Sequence, residues 1–196
     1  MATPPTGQNY LPVLAGRWTD NQFYASIQNI LLWYVSVQQS VPVPASPYYT
    51  PMLPSGGWTD VDYLTSIQSV LVTWFKYEAF TPPLPTGQNY TPVQSGKLTK
   101  NQLLNAVQNL FAYLIPTTQA PSGTGQNYQP VTGGTGWPDN NYLASIQNIA
   151  VGWVTQQQGP LDPGQNYKIV LAGKWTDNDF LASIQNLLVF LINPLT

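Results

Sequence analysis

Apolar residues recur at helical spacing in five separate stretches of this chain. In the first, Phe23, Ile27, Ile30 and Tyr34 mark one face, and Tyr24, Leu31 and Val35 widen it. The run from Ile30 to Val35 is apolar on nearly every side. The pattern predicts a helix of about 17 residues, ~26 Å long. Thr19 suits its N-cap, and Gln22 three residues later completes a capping box. Thr99 and Gln102 repeat that signal, while Thr59/Asp62 and Thr176/Asp179 keep the cap with a shorter acceptor. In the fourth stretch Pro138 is expected at the first helical position, with Asp139 at the positive end of the helix dipole. Pro116, Gly159-Pro160 and Pro194 are expected to stop their helices.

The stretches between these helices read as extended chain and turns. Tyr10-Leu11-Pro12-Val13 and Tyr90-Thr91-Pro92-Val93 cannot be helical, because proline pushes its predecessor towards extended geometry. Short strands there would be restricted to sheet edges.

The two patterns belong to one repeating unit. Gly7-Gln8-Asn9-Tyr10 returns at Gly87–Tyr90, Gly125–Tyr128 and Gly164–Tyr167, with Ser46-Pro47-Tyr48-Tyr49 as a degenerate copy. An aromatic position follows at Trp18, Trp58, Trp137 and Trp175, with Leu98 in the third unit. A Ser-Ile-Gln-Asn core appears at 26–29, 145–148 and 183–186, with variants at 66–69 and 106–109. Five matching registers imply a repeat architecture in a single domain over 1–196. The units run about 7–43, 46–84, 87–121, 125–161 and 164–196.

A unit of one helix and one return segment gives successive helices the same direction. The return stretch of about 20 residues reaches up to ~65 Å, enough to travel back along a helix. The expected fold class is therefore mainly α, with five helix-plus-extended-segment repeats and roughly parallel helices. Open solenoids protect their ends with polar caps. Here the first and fifth helices carry Trp33, Tyr34, Val189, Phe190 and Leu191. A closed pseudo-five-fold bundle is expected in preference to an open solenoid, with burial against other subunits as the alternative.

Composition narrows the function. Charged residues make up only 7% of the chain, and the net charge is −2. The six Lys and Arg are scattered, so no basic stripe is present to neutralise phosphates and no nucleic-acid partner is expected. No apolar run reaches the ~18 residues of a membrane span, so no membrane partner is expected. The first residues carry no basic and apolar signal-peptide pattern. With no Cys and no His, thiol nucleophiles, imidazole metal ligands and Ser-His-Asp triads are absent. No glycine-rich phosphate loop precedes a lysine. Asp20, Asp60, Asp139 and Asp177 fall at helix starts, where the dipole favours them, and Asp60/Asp62 and Asp177/Asp179 lack the ligand loop of a cation site. No enzyme, cofactor or metal is expected.

Three columns remain as candidate structural or binding positions. The first is Gln28, Gln68, Gln108, Gln147 and Gln185, one turn from apolar columns. A buried glutamine must be hydrogen-bonded, which predicts that its amide ties down backbone or joins a polar ring; a ligand site at the bundle axis is the alternative. The second is the tetrad tyrosine, Tyr10, Tyr49, Tyr90, Tyr128 and Tyr167, read as packing on the helix after a turn. The third is Trp18, Trp58, Trp137 and Trp175, read as a hydrophobic staple onto residues such as Phe23. The alternative for the Gly-Gln-Asn-Tyr tetrad, with the tryptophans, is a polar and aromatic surface for sugars, where ring faces stack and amides read hydroxyls.

The expected function is non-enzymatic and structural. A compact, repeat-built, nearly uncharged chain suits a bacteriophage virion component: a capsid decoration or cement, vertex or tail part. It would act through other structural proteins of an assembly and be located in the virion. The alternative is a multivalent, lectin-like carbohydrate-binding module with glycans as partners, extracellular or at a cell surface. A self-assembling surface-layer or filament subunit is the third reading.

Overall fold

A computed structural model describes residues 3, 5–80, 83–118, 129–131, 136–161 and 167–193. Among these residues the chain is all-helical, with no strand. The helices are α1 (Asp20–Trp33), α2 (Asp60–Glu78), α3 (Lys100–Thr118), α4 (Asp139–Gln158) and α5 (Asp177–Ile192).

Local chemistry sets most helix ends. Thr19, Thr59 and Thr176 form complete capping boxes with Gln22, Asp62 and Asp179. Thr99 and Gln102 do the same, through bonds of 2.9 and 3.3 Å. The start of α4 differs from expectation. Pro138 is its N-cap, with ψ 157°, and Asp139 is the first helical residue. The register is set by the Trp137–Tyr142 ring contact, which aligns Pro138 with the threonines of the other units. The Pro116 stop also fails, because α3 continues to Thr118. A proline so near the end removes a single i→i−4 bond, and α3 is held on both sides by α2 and α4. Gly159, at φ +88°, ends α4. Pro194 lies outside the described residues. After Trp33 the first helix widens into a π-helical turn over Tyr34–Gln38. There Ser36 Oγ donates back to the Leu32 carbonyl at 2.7 Å.

Each described return segment starts with a short 3-10 turn where its tetrad is visible: Gln8–Tyr10, Pro47–Tyr49 and Gln88–Tyr90. Extended residues follow. The chain then reverses at a glycine with φ between +63° and +80°: Gly16, Gly57, Gly96, Gly136 or Gly173. The short strands allowed at the prolines do not form among the described residues. The extended backbone pairs with helix side-chain amides instead, as described below.

α1 packs on α2, α2 on α3, α3 on α4, α4 on α5, and α1 also packs on α5. Hydrogen bonds join neighbouring helix starts, so adjacent helices run in the same direction. Residues of all five helices, among them Ile27, Ile67, Val107, Ile146 and Ile184, line one narrow apolar cavity of about 20 Å³. Nearer the helix C-termini aromatic rings fill the centre. Tyr34 lies 5.5 Å from Trp74 and 5.8 Å from Trp153, both edge-on.

Candidate functional site

The repeated junction between units is the most built feature of the molecule. It begins at the tryptophan column. Trp18, Trp58, Trp137 and Trp175 are half-buried. Each packs on the aromatic residue five positions later, with centroids 5.2–5.4 Å apart, at Phe23, Tyr63, Tyr142 and Phe180. Leu98 takes this place in the third unit and is buried.

The carbonyl of each tryptophan is held by the preceding unit. Asn21, Asn101, Asn140 and Asn178 donate Nδ2 to the carbonyls of Trp58, Trp137, Trp175 and Trp18, at 2.7–3.0 Å. The same amides reach Asp60, Asp139, Asp177 and Asp20, at 2.7–3.3 Å. Asn140 and Asn178 also accept from the backbone N–H of Gly173 and Gly16, so one side chain fixes the turn and the helix start of the next unit. These asparagines escaped the sequence reading. Their signal is the Asp-Asn pair at 20–21, 139–140 and 177–178, with Lys100-Asn101 as a variant.

The second unit has Val61 at the asparagine position, which cannot donate. Lys100 takes over. Its Nζ lies 3.3 Å from Asp60 and 3.5 Å from Asp139. Burial pulls the Lys100 ammonium down, but the carboxylates of Asp60 and Asp139 more than offset this and hold it above the usual lysine range. Its Nζ is 5.6 Å from the ring centre of Tyr24. Burial drives the Tyr24 hydroxyl well above the usual tyrosine range, and Asp60, Asp139, Asp20 and Asp177 add to the effect. That hydroxyl is buried without a partner.

Deeper in the junction lies the glutamine column, with all five side chains fully buried. Gln28 donates to the Thr50 carbonyl and to Ser66 Oγ, at 3.1 and 3.0 Å. Gln108 reaches the Gln129 carbonyl and Ser145 Oγ, and Gln147 reaches the Lys168 carbonyl and Ser183 Oγ. Gln185 reaches the Leu11 carbonyl at 2.8 Å and Ser26 Oγ at 3.1 Å. These four glutamines therefore each latch the extended segment and the helix serine of the next unit. The neighbouring asparagine adds a two-way grip. Asn29 accepts from Met52 N–H and donates to its carbonyl, and Asn186 does the same to Val13. Between the fourth and fifth units the grip is looser, since Gln147 Oε1 and Asn148 Nδ2 have no partner.

The serine relays the bond inward. Ser26 Oγ donates to the Asn9 carbonyl at 2.5 Å, and Ser66 Oγ to the Tyr48 carbonyl. The third unit has Ala106 at this position, and Gln68 donates directly to the Asn89 carbonyl at 3.2 Å and to Thr91 at 2.8 Å. The flexible amide covers for the missing hydroxyl.

Tyr10, Tyr49, Tyr90 and Tyr167 are half-buried against the core. Tyr49 Oη lies 2.9 Å from Thr73 Oγ1, and Tyr167 lies 6.1 Å from Phe190. Tyr128 lies outside the described residues.

No group of three or more acidic side chains placed to hold a metal ion occurs among the described residues. No described helix is long and apolar enough to cross a membrane. Comparison with protein-family models, with curated proteins and with solved structures gives no match.

Proposed function

We propose that this chain is a non-enzymatic structural protein built as a closed pseudo-five-fold bundle, and that it serves as a bacteriophage virion component acting through protein–protein contacts. One observation carries the reading. The junction between the fifth unit and the first uses the same groups as the internal junctions: Gln185 on Leu11 and Ser26, Asn186 on Val13, and Asn178 on Trp18 and Asp20. A chain whose last unit completes its first has no free repeat face to extend. This disfavours the head-to-tail filament.

The outer surface supports a contact role. Leu14, Leu53 and Leu171 occupy the same position of the unit, four residues after the tetrad tyrosine, and are 64%, 65% and 64% exposed. They lie on the first, second and fifth units, which are neighbours through the α1–α2 and α1–α5 contacts. Gln94 and Thr132 hold this position in the third and fourth units, the latter outside the described residues. A plug on a five-fold vertex would need the same leucine on every unit. A one-sided apolar band fits a decoration, cement or tail part better.

The test has two arms. The isolated chain should run as a 21.6 kDa monomer on size exclusion with light scattering. Antibody raised against it should label particles by immunogold, and Leu14→Ser with Leu53→Ser and Leu171→Ser should abolish incorporation while leaving the monomer folded. Label confined to the soluble fraction would count against a virion role.

A further inference from the structure

The tetrad turn walls off a surface cleft in each of two units, and the units treat that space differently. In the first unit the cleft has a volume of about 480 Å³ and lies between Gln8, Asn9 and Tyr10 on one side and Pro51 and Leu53 of the second unit on the other, with Trp18 between. No charged side chain lines it. In the third unit the corresponding residues line two smaller clefts, of about 380 and 270 Å³.

Asn9 is the informative residue. It is only 9% exposed, and its backbone carbonyl is taken by Ser26. Its side-chain amide lines the cleft and has no partner among the described residues. The third unit satisfies the same amide internally, since Asn89 Nδ2 donates to Asn105 Oδ1 at 2.8 Å. Ala25 stands at the Asn105 position in the first unit and offers nothing. The third unit also has Leu98 where the first has Trp18.

The second unit shows what such a space accepts. Tyr48 replaces the asparagine, and its ring lies 6.0 Å from Trp58. Its hydroxyl accepts from the Ser95 N–H at 3.0 Å. A six-membered ring bearing a hydroxyl thus sits beside the tryptophan, and the chain provides it itself. In the first unit that ring is missing, the tryptophan is kept, and an unpaired amide takes its place.

We propose that the first-unit cleft is a binding site for a neutral saccharide. A sugar ring would lie against Trp18. Its hydroxyls would pair with the Asn9 amide and with the Gln8 amide and Gln22 Nε2, which make no bond among the described residues. A purely apolar ring would leave the Asn9 amide buried and unpaired, which disfavours it. An acidic or phosphorylated ligand would meet no cation in the cleft. The site shares Leu53 with the apolar band proposed above, but its polar groups, Gln8, Asn9 and Gln22, belong to the first unit, and losing them would leave the bundle intact.

The test uses the full chain against a panel of neutral oligosaccharides of the gluco-, manno-, xylo- and chito- series, read by calorimetry and by amide shifts in NMR. At least one should bind, with shifts centred on the Thr6–Tyr10 turn. Trp18→Ala should abolish binding, but it also removes the helix staple. Two gentler variants therefore carry the decision. Asn9→Ala should weaken binding about five- to tenfold, the effect of one hydrogen bond. Ala25→Asn, which copies the third unit and gives Asn9 an internal partner, should weaken it by a similar factor without lowering the melting temperature. Leu98→Ala in the third unit should lower stability, since Leu98 is buried, but leave binding unchanged. The proposal is overturned if no neutral sugar binds at millimolar concentration, if only charged sugars or aromatic peptides occupy the cleft, or if Asn9→Ala and Ala25→Asn bind as tightly as the parent.

Discussion

Replacing Gln185 with Ala probes the junction on which the architecture depends. The side chain is fully buried, donates at 2.8 Å to the Leu11 carbonyl and at 3.1 Å to Ser26 Oγ, and accepts at 3.3 Å from Val13 N–H. Val13 N–H keeps its better partner, Asn186 Oδ1 at 2.9 Å, so the loss falls on the two donated bonds. Each is worth about 1 kcal/mol, and the space vacated in a packed junction adds a comparable cost. Together they predict a destabilisation of about 3 kcal/mol. Spread over the unfolding entropy of a chain this long, that is a fall of about 7 °C in melting temperature. Urea denaturation gives the free energy directly, provided the slope of the transition is unchanged. The internal control is Gln108→Ala, which breaks the same bonds between the third and fourth units. Equal losses are expected. If Gln108→Ala costs its full amount while Gln185→Ala changes stability by less than about 0.5 kcal/mol, the fifth and first units do not hold each other as described.

Ser26→Ala should cost less than the glutamine variant, about 1 kcal/mol in urea unfolding, because Gln68 beside Ala106 already shows that the amide can reach the carbonyl without the hydroxyl; a loss equal to that of Gln185→Ala would contradict this. Lys100→Met should lower stability by about 1 kcal/mol at low salt, shrinking in ~1 M salt. Since the folded Lys100 sits above its ordinary value, that contribution stands in full below the usual lysine range and fades as pH rises through the raised value, so parent and variant should converge in strong alkali. Partial burial raises the Asp62 carboxyl, but hydrogen bonds from Ser95 and Thr59 outweigh this and hold it below the usual aspartate value. Its contribution is therefore present above that value and lost as pH falls through the lowered one, and Asp62→Ala should flatten the acid limb of the stability profile. Gly16→Ala should cost about 1 kcal/mol through its positive φ alone, because the added methyl meets nothing within 4 Å; calorimetric melting that leaves the variant unchanged would refute this.

The sequence makes the helices, their caps and the repeat legible because each rests on residues close together in the chain. Thr19 with Gln22 and Trp18 with Phe23 are local pairs, and their spacing alone announces them. Side chains that act between units are harder to read. Asn21 resembles any polar residue in a solvated first turn, yet its partners Trp58 and Asp60 are almost forty positions away. Lys100 stands in the sequence only as a departure from the aspartate of the other units, because its role depends on Val61 having lost a donor one unit earlier. The cleft was legible only as a loose aromatic and amide motif. What separates the first unit from the third is Ala25 against Asn105, a difference on the helix beneath the turn rather than in the turn. Pro138 and Pro116 misled for the opposite reason: their local rules hold, but the tryptophan staple and packing on both sides set the register.

Whether the fifth unit returns to the first can be measured by a comparison of two distances. Arg17, Lys97 and Lys174 are exposed and occupy the same position after the turn glycine of the first, third and fifth units. The chain has no cysteine, so spin labels can be placed in pairs without background. In a closed bundle 17 and 174 are neighbours and 17 and 97 lie two units apart, so pulsed electron paramagnetic resonance should give the shorter distance for 17–174. In an open row the 17–174 pair would span four helix spacings, on the order of 35 Å, and would be the longer of the two; that ordering would contradict the closed bundle.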